Sequence, residues 1–156
     1  MPESPSNVYT IGVIADTHNR WKPRIEEYFA DVDEIWHLGD VCREEILDQL
    51  RGLCPQLHVV LGNNDFGIDY PLSRTLERNG EVFRLIHIPP RRMPPPGECD
   101  WLLHGHTHVP RDETVDGVRV FNPGSAGLAN KGAPTSLGFL RSVDGGPFTT
   151  EVRLIN

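Results

Sequence analysis

The sequence predicts a single α/β domain, and two successive patterns along the chain support this prediction. In the first half, three apolar runs alternate with two amphipathic segments, as in parallel strands joined by crossover helices. From Glu81 onward, short apolar runs separated by tight turns indicate a strand-rich half that we expect to be largely antiparallel. A chain of 156 residues can bury one hydrophobic core, which we assign to residues 8–156.

The segments of the first half can be assigned one by one. Three runs of mainly apolar residues predict buried strands: 8–16, 34–40 and 56–65. Between them, residues 22–30 show a helical spacing of apolar side chains, with Pro23 in the first turn. Residues 43–52 carry the clearest amphipathic helix pattern, and Gly52 stands where that helix is expected to end.

The second half predicts further strands and one unusual loop. Strand patterns recur in five segments: 81–88, 99–105, 113–124, 136–143 and 148–156. Two short stretches, Asp116 with Gly117 and residues 144–146, contain the residues that tight turns require. The segment 89–97 contains five prolines, which exclude a helix and predict an extended connection.

Composition and charge exclude several classes of protein. The net charge of −7 argues against a protein that binds long nucleic acids or an anionic membrane surface. No apolar run approaches the ~20 residues of a membrane span, and residues 1–7 are a polar segment that we expect to be disordered. Three cysteines without C-x-x-C spacing suit a reducing compartment, so we expect a cytoplasmic protein in which they are neither metal ligands nor nucleophiles.

Polar residues with metal-ligand chemistry follow most of the predicted strands. Ligands of open α/β sheets bind at the carboxyl ends of the strands, so we expect these side chains to converge. Each alone would as readily be a turn former or a packed core histidine, but an ordered series of nitrogen and oxygen donors indicates a site for divalent metals. The set comprises Asp16, His18, Asp40, an asparagine of the segment 62–65, His87, His106 and His108.

The order of these residues resembles the calcineurin-like metallophosphoesterases. The chain reads D-x-H, then G-D, G-N-x-D, a strand-end histidine and G-H-x-H, followed by N-P-G-S at 122–125. Its short length and the form G-H-T-H-V-P are similar to the compact bacterial and archaeal phosphodiesterases, to which the Vps29 scaffold is related. The resemblance spans residues 11–125 and implies an αββα sandwich of two mixed β-sheets flanked by helices.

The resemblance also implies roles for the seven residues. One metal would be bound by Asp16, His18 and His108, the second by Asn63, His87 and His106, and Asp40 would bridge the two. A hydroxide between the metals would attack phosphorus in line with the leaving oxygen. Two divalent ions bring +4, two carboxylates return −2 and the hydroxide leaves about +1, a charge that suits a phosphate ester.

The chain departs from the family pattern in three places. Many relatives carry a histidine, thought to protonate the leaving group, where this chain has Asn64. Asn64 can donate a hydrogen bond in catalysis or substrate binding but cannot deliver a proton at neutral pH, and Asp65 would orient its neighbours. His87 lacks the glycine that usually follows this histidine, and segment 89–97 replaces an expected helix.

Other polar residues have weaker or different assignments. Three arginines are candidates for binding the substrate phosphate: Arg20, Arg91 and Arg92. For the two arginines of the proline-rich segment, the alternative is an ordinary surface loop. His37 and His58 lie inside predicted strands and His104 lies outside the G-H-x-H motif, so we expect all three to pack or to support ligands. Ser125 has no evident base partner, which disfavours a serine nucleophile.

The leading hypothesis is a metal-dependent phosphoesterase, and within that class a phosphodiesterase, acting on small phosphorylated substrates. Mixed nitrogen and oxygen ligands favour two divalent ions such as manganese, with iron, cobalt, nickel or zinc also compatible and magnesium disfavoured. The alternative is a non-catalytic scaffold similar to Vps29 that keeps a metal site. All seven ligand positions carry competent side chains, which favours the enzyme. The sequence leaves the oligomeric state open and allows a homo-oligomer.

Overall fold

A computed structural model describes residues 7–95, 97–129 and 132–155 of the chain. Residues 1–6 of the predicted disordered segment and Pro96 of the proline-rich segment lie outside the described residues. Asn7, the last residue of the predicted disordered segment, contacts the fold through its backbone N–H, which donates to Asp144 Oδ1 at 2.8 Å. Neither helix in the described ranges is long and apolar enough to cross a membrane.

The described ranges contain two helices and ten strands. The helices are α1 (Pro23–Phe29) and α2 (Glu44–Leu53). The strands are β1 (Val8–Ile14), β2 (Glu34–His37), β3 (Leu57–Val59), β4 (Ser73–Arg78), β5 (Glu81–Ile86), β6 (Trp101–Leu103), β7 (Arg111–Val115), β8 (Val118–Asn122), β9 (Ser136–Val143) and β10 (Thr149–Leu154). They form two five-stranded sheets.

The first sheet has the strand order β10-β9-β1-β2-β3. β1, β2 and β3 are parallel and are connected through α1 and α2, which confirms the predicted crossovers. β9 and β10 come from the second half of the chain and add to this sheet in antiparallel pairing. Both helices pack on one face of the sheet, where Phe29 and Leu47 are buried in one cluster with Ile35 and Leu137.

The second sheet has the strand order β4-β5-β6-β8-β7. Its central strands β5, β6 and β8 are parallel, so the expectation of a largely antiparallel second half is wrong for this sheet. The reason lies in the connections, because only the two edge pairs are hairpins. Their turns, Asn79 with Gly80 and Asp116 with Gly117, have positive φ at both residues. β5 and β6 pair in parallel, so a longer connection joins them in place of a hairpin.

One strand and one helix end differ notably from the sequence-based expectation. β4 was not predicted, because this edge strand alternates between exposed and half-buried residues and Leu76 is its one aliphatic side chain. α2 continues past Gly52 to Leu53. A proline disfavours helical backbone at the residue before it, and Pro55 therefore ends the helix at this point.

Two further clusters define the other layers of the molecule. Between the sheets, the Phe83 ring lies 5.2 Å from Trp36 and 5.4 Å from Trp101, measured between ring centroids. On the outer face of the second sheet, Met93 of the proline-rich segment packs against a small cluster that includes Leu102. The predicted sandwich of two mixed sheets is confirmed. The described helices cover the first sheet, and residues 90–95 of the proline-rich segment lie against part of the second.

Candidate metal centre

The parallel strands of both sheets end at the same edge of the sandwich. Asp16 follows β1 and Asp40 follows β2, whereas His87 follows β5 and the G-H-x-H segment follows β6. Side chains from the two sheets meet here, since His87 Nε2 lies 3.3 Å from Asp40 Oδ2. The structure thus brings together residues that the sequence placed at separate strand ends.

Asp16 is the centre of the first group of potential ligands. Its Oδ1 atom lies 3.4 Å from His108 Nε2 and 3.6 Å from His18 Nε2. The two histidine Nε2 atoms are themselves 3.2 Å apart. One carboxylate oxygen and two imidazole nitrogens at these separations can bind a single divalent ion.

Asp40 and His87 form a second group, which shares Asp16 with the first. His87 Nε2 lies 3.7 Å from Asp16 Oδ1 in addition to its contact with Asp40. Asp40 Oδ2 also lies 3.5 Å from His18 Nε2. Both carboxylates therefore face both groups, whereas the family resemblance implied a bridging position for Asp40 alone.

Two buried polar atoms of this cluster lack a hydrogen-bond partner within the described ranges: Asp16 Oδ1 and His87 Nε2. An unsatisfied buried polar group costs about 1–3 kcal/mol, so two of them side by side indicate a function. His87 Nδ1 donates to the Leu38 carbonyl at 2.8 Å, which leaves Nε2 to carry a lone pair when the ring is neutral. A lone pair facing two carboxylates is a site for a cation, and these residues therefore fit a divalent metal.

Asn63 and His106 lie on the solvent side of the cluster. His106 Nδ1 is 3.2 Å from Asn63 Oδ1, and both residues are exposed. The His106 backbone N–H donates to Asp16 Oδ2 at 3.0 Å, and its ring centroid lies 5.2 Å from that of His87. Five of the seven predicted ligands therefore fall in the two groups, whereas Asn63 and His106 adjoin those groups without sharing their ligand atoms.

The backbone of this cluster is unusual. Five of the seven predicted ligands have positive φ angles, between 46° and 74°: Asp16, His18, Asp40, His106 and His108. This conformation is uncommon for residues other than glycine and costs of order 1 kcal/mol or more at each position. Strain concentrated in one set of loops is typical of functional sites, where side-chain position matters more than local stability.

Two motif glycines are required by close packing around the carboxylates. A Cβ atom on Gly62 would lie 2.2 Å from Asp40 Oδ1. A Cβ atom on Gly105 would lie 2.8 Å from Asp16 Oδ2. Any larger residue in the G-N or G-H motif would therefore displace a carboxylate from the cluster.

Asp65 and Asn64 hold Asp40 in place. Asp65 Oδ2 accepts the backbone N–H groups of Asp40 at 2.9 Å and Gly62 at 2.8 Å, and its Oδ1 accepts that of Cys42 at 2.8 Å. Asn64 donates to the Asp40 carboxylate from its backbone N–H and from its Nδ2, both at 2.9 Å. Asp65 thus orients the backbone of the loop, and Asn64 orients the carboxylate.

Burial and hydrogen bonding have opposite effects on the pKa values in this site. Burial raises the pKa of Asp40, but the close contact with His87 and the hydrogen bonds from Asn64 outweigh it and hold the pKa well below its usual value. The nearby Asp16 carboxylate raises the pKa of His18 despite partial burial. Burial lowers the pKa of His87, yet the two carboxylates raise it on balance. The site stabilises positive charge beside ionised carboxylates, which is the charge that a metal ion supplies.

His37 connects two of the ligand-bearing loops, a role that the sequence did not distinguish from simple packing. Its Nδ1 accepts the Gly39 backbone N–H at 3.1 Å, and its Nε2 lies 3.1 Å from Thr17 Oγ1. The Thr17 hydroxyl donates to the Val41 carbonyl at 3.3 Å. Burial lowers the pKa of His37 to about 4, so the ring is neutral. The position of His37, three residues before Asp40, was the available signal.

None of the three predicted arginines makes a hydrogen bond or ion pair with the predicted ligands within the described ranges. Arg20 and Arg91 are exposed, and neither guanidinium makes a hydrogen bond or ion pair with another described residue. Arg92 lines a cavity of about 360 Å³ between the proline-rich segment and the second sheet, and none of the seven predicted ligands is among the described residues that line it. Their role in binding phosphate stays a prediction.

His104 and Ser125 support the site from below. His104 is buried, and its Nδ1 donates to the Gly105 carbonyl at 2.8 Å. Ser125 Oγ donates to the Asp16 carbonyl at 2.9 Å and accepts the Leu128 backbone N–H at 3.0 Å. Both contacts stabilise the loops, and neither residue is placed among the potential ligands.

Comparison with known proteins agrees with this geometry. Residues 9–145 match the calcineurin-like phosphoesterase superfamily domain. The chain is 34% identical over 134 residues to a probable metallophosphoesterase of Methanothermobacter thermautotrophicus, covering 74% of this chain and 76% of that protein. It is 28% identical over 144 residues to the phosphodiesterase YfcE of Escherichia coli, covering 75% of this chain and 78% of that protein.

A solved structure shows the same fold at lower identity. The vacuolar protein sorting 29 of Cryptosporidium parvum superposes with a TM-score of 0.75 at 22% identity, covering 94% of this chain and 96% of that chain. The seven predicted ligands all fall within the matched residues 9–145. The chain therefore belongs to the calcineurin-like phosphoesterase superfamily.

Proposed function

We propose that this chain is a cytoplasmic, dimetal phosphodiesterase that hydrolyses small phosphodiesters. The observation that carries the proposal is the buried pair of Asp16 Oδ1 and His87 Nε2, which lie 3.7 Å apart without hydrogen-bond partners in the described chain. Relationship to the phosphodiesterase YfcE supports a diester as the substrate class. Three free cysteines agree with a reducing compartment.

The nitrogen and oxygen donors around this pair suit two ions of manganese, with iron, cobalt, nickel or zinc also compatible. When bound, the two ions would supply the charge that activates water for in-line attack and neutralises the phosphoryl oxygens. Asp40, whose Oδ2 lies within 3.5 Å of both His18 Nε2 and His87 Nε2, would help to hold both ions. Asn64 orients Asp40 through one Nδ2 hydrogen and keeps a second for a substrate or leaving-group oxygen.

The test combines metal analysis with hydrolysis of bis(p-nitrophenyl) phosphate, with and without added manganese. We expect two metal ions per chain at saturation and hydrolysis that depends on them. Asp40→Asn should lower kcat by at least about 100-fold, because the position between the two groups loses its charge. The matched control is Asp48→Asn on α2, whose side chain is 70% exposed and should leave the rate unchanged. Metal-independent hydrolysis, or full activity of Asp40→Asn, would contradict the proposal.

The structural likeness to Vps29 favours one second candidate, a protein-interaction scaffold that retains the metal site. This candidate predicts that the chain binds metal, loses that binding in Asp40→Asn, and hydrolyses no phosphodiester. The same two measurements therefore separate the candidates, because only the enzyme couples metal occupancy to release of p-nitrophenolate.

A further inference from the structure

A cavity of about 350 Å³ opens beside the candidate metal centre. Two predicted ligands, Asn63 and His87, form part of its wall. Its volume lies near the lower end of the roughly 300–1,000 Å³ of typical small-molecule sites. A group bound in this cavity would be directly adjacent to a phosphate held at the metal centre.

The rest of the cavity wall is mainly aliphatic. Four apolar side chains line it: Leu61, Leu72, Ile86 and Ile88. No acidic side chain, lysine or arginine is among the described residues that line it. Leu72 is 73% exposed and Ile88 is 51% exposed. One exposed aliphatic residue is ordinary on a protein surface, but a wall of four beside a polar site is typical of a ligand site.

We propose that this cavity binds an apolar, aryl-sized ester group of the substrate, specifically the group that stays on phosphorus after hydrolysis. The inference rests on the proposed phosphodiesterase function and adds the substrate class to it. We expect the leaving oxygen near Asn64, which is not among the described residues that line the cavity. The neighbouring residue Asn63 does line the cavity. The second ester group of the diester therefore faces the apolar wall.

The experiment compares two diesters with the same p-nitrophenyl leaving group and either a methyl or a phenyl retained group. Each kcat/KM is divided by the rate of the uncatalysed alkaline reaction, so that the ratio reports binding and not intrinsic reactivity. We expect the corrected value to be about tenfold higher for the phenyl diester, since filling an apolar pocket commonly changes specificity by that factor or more. Equal corrected values would overturn the proposal.

The cavity wall is tested with the double variant Leu72→Ala and Ile88→Ala. Both side chains are largely exposed, so the fold should be retained, and the phenyl preference should fall to about twofold as apolar contact is lost. The matched control is Leu154→Ala on β10 of the first sheet, where the side chain is 52% exposed. This control should keep the tenfold preference. A double variant that also keeps it would contradict the proposal.

A binding measurement separates failure of this inference from failure of the proposed function. Calorimetry of the manganese-loaded protein compares dimethyl phosphate with diphenyl phosphate, whose phenoxide is a poor leaving group. Tighter binding of diphenyl phosphate, reduced in the double variant, supports the cavity even if neither p-nitrophenyl diester is hydrolysed. Hydrolysis of both diesters at equal corrected rates would refute the cavity and leave the proposed function standing.

Discussion

His37 makes the stability of this protein depend on pH in a defined range. The Gly39 N–H can only donate, so His37 Nδ1 accepts and the ring proton resides on Nε2, facing Thr17. A second proton on Nδ1 would replace this hydrogen bond with a repulsive contact in a fully buried site. Burial accordingly lowers the pKa from its ordinary value of 6.5 to about 4.

The sign and size of the effect follow from these two pKa values. As the pH falls below 6.5, the unfolded chain takes up a proton at this residue, while the folded chain does so only near pH 4. The folded state is therefore destabilised as the pH falls from 6.5 to 4, and the effect is fully developed below pH 4. The lost free energy of unfolding amounts to about 2 kcal/mol at pH 5 and approaches about 3 kcal/mol at lower pH.

The assay is urea unfolding of the metal-free protein in the presence of a chelator, followed by tryptophan fluorescence between pH 5 and 8. The variant His37→Asn does not titrate, and its side-chain oxygen can still accept the Gly39 N–H. We expect it to lose about 2 kcal/mol at pH 8, through the missing contact to Thr17 and the smaller volume. At pH 5 that difference from wild type should nearly vanish. A difference that is the same at both pH values would refute the reasoning.

Three further substitutions probe other parts of the structure. Gly62→Ala should weaken manganese binding at least about tenfold by calorimetry, because the new Cβ would lie 2.2 Å from a carboxylate oxygen of the predicted bridging residue. Gly52→Ala, which meets nothing within 4 Å, is its control and should leave binding unchanged. Arg78→Met should lower the free energy of unfolding by about 3 kcal/mol, because Glu34 is 2% exposed and loses its charged partner. Urea unfolding measures this loss, and a value below about 1 kcal/mol would contradict the prediction. Asn64→His should raise kcat at least about tenfold for diesters with poor leaving groups relative to good ones, and an unchanged ratio would exclude a leaving-group role for this position.

Much of the candidate site was predictable because each ligand follows an apolar run in the chain. A carboxylate after a buried strand, as at Asp16 and Asp40, is placed by the end of that strand, and parallel strands end together. The search for apolar runs missed β4, because this edge strand carries no alternation of strongly apolar side chains. The expected helix end at Gly52 was also wrong, because the stop signal that mattered was Pro55.

The sequence by itself determined which chemistry is available: carboxylate, amide and imidazole groups at strand ends, in the order of the calcineurin-like phosphoesterases. Only the tertiary structure decided that Asp16 faces both ligand groups and that His37 joins two ligand loops. It also placed Arg92 on a separate cavity and brought Leu61 of one sheet edge next to Ile86 of the other sheet. The reason is that residue type and spacing are local properties of the chain, whereas contacts across two packed sheets depend on how those sheets are oriented.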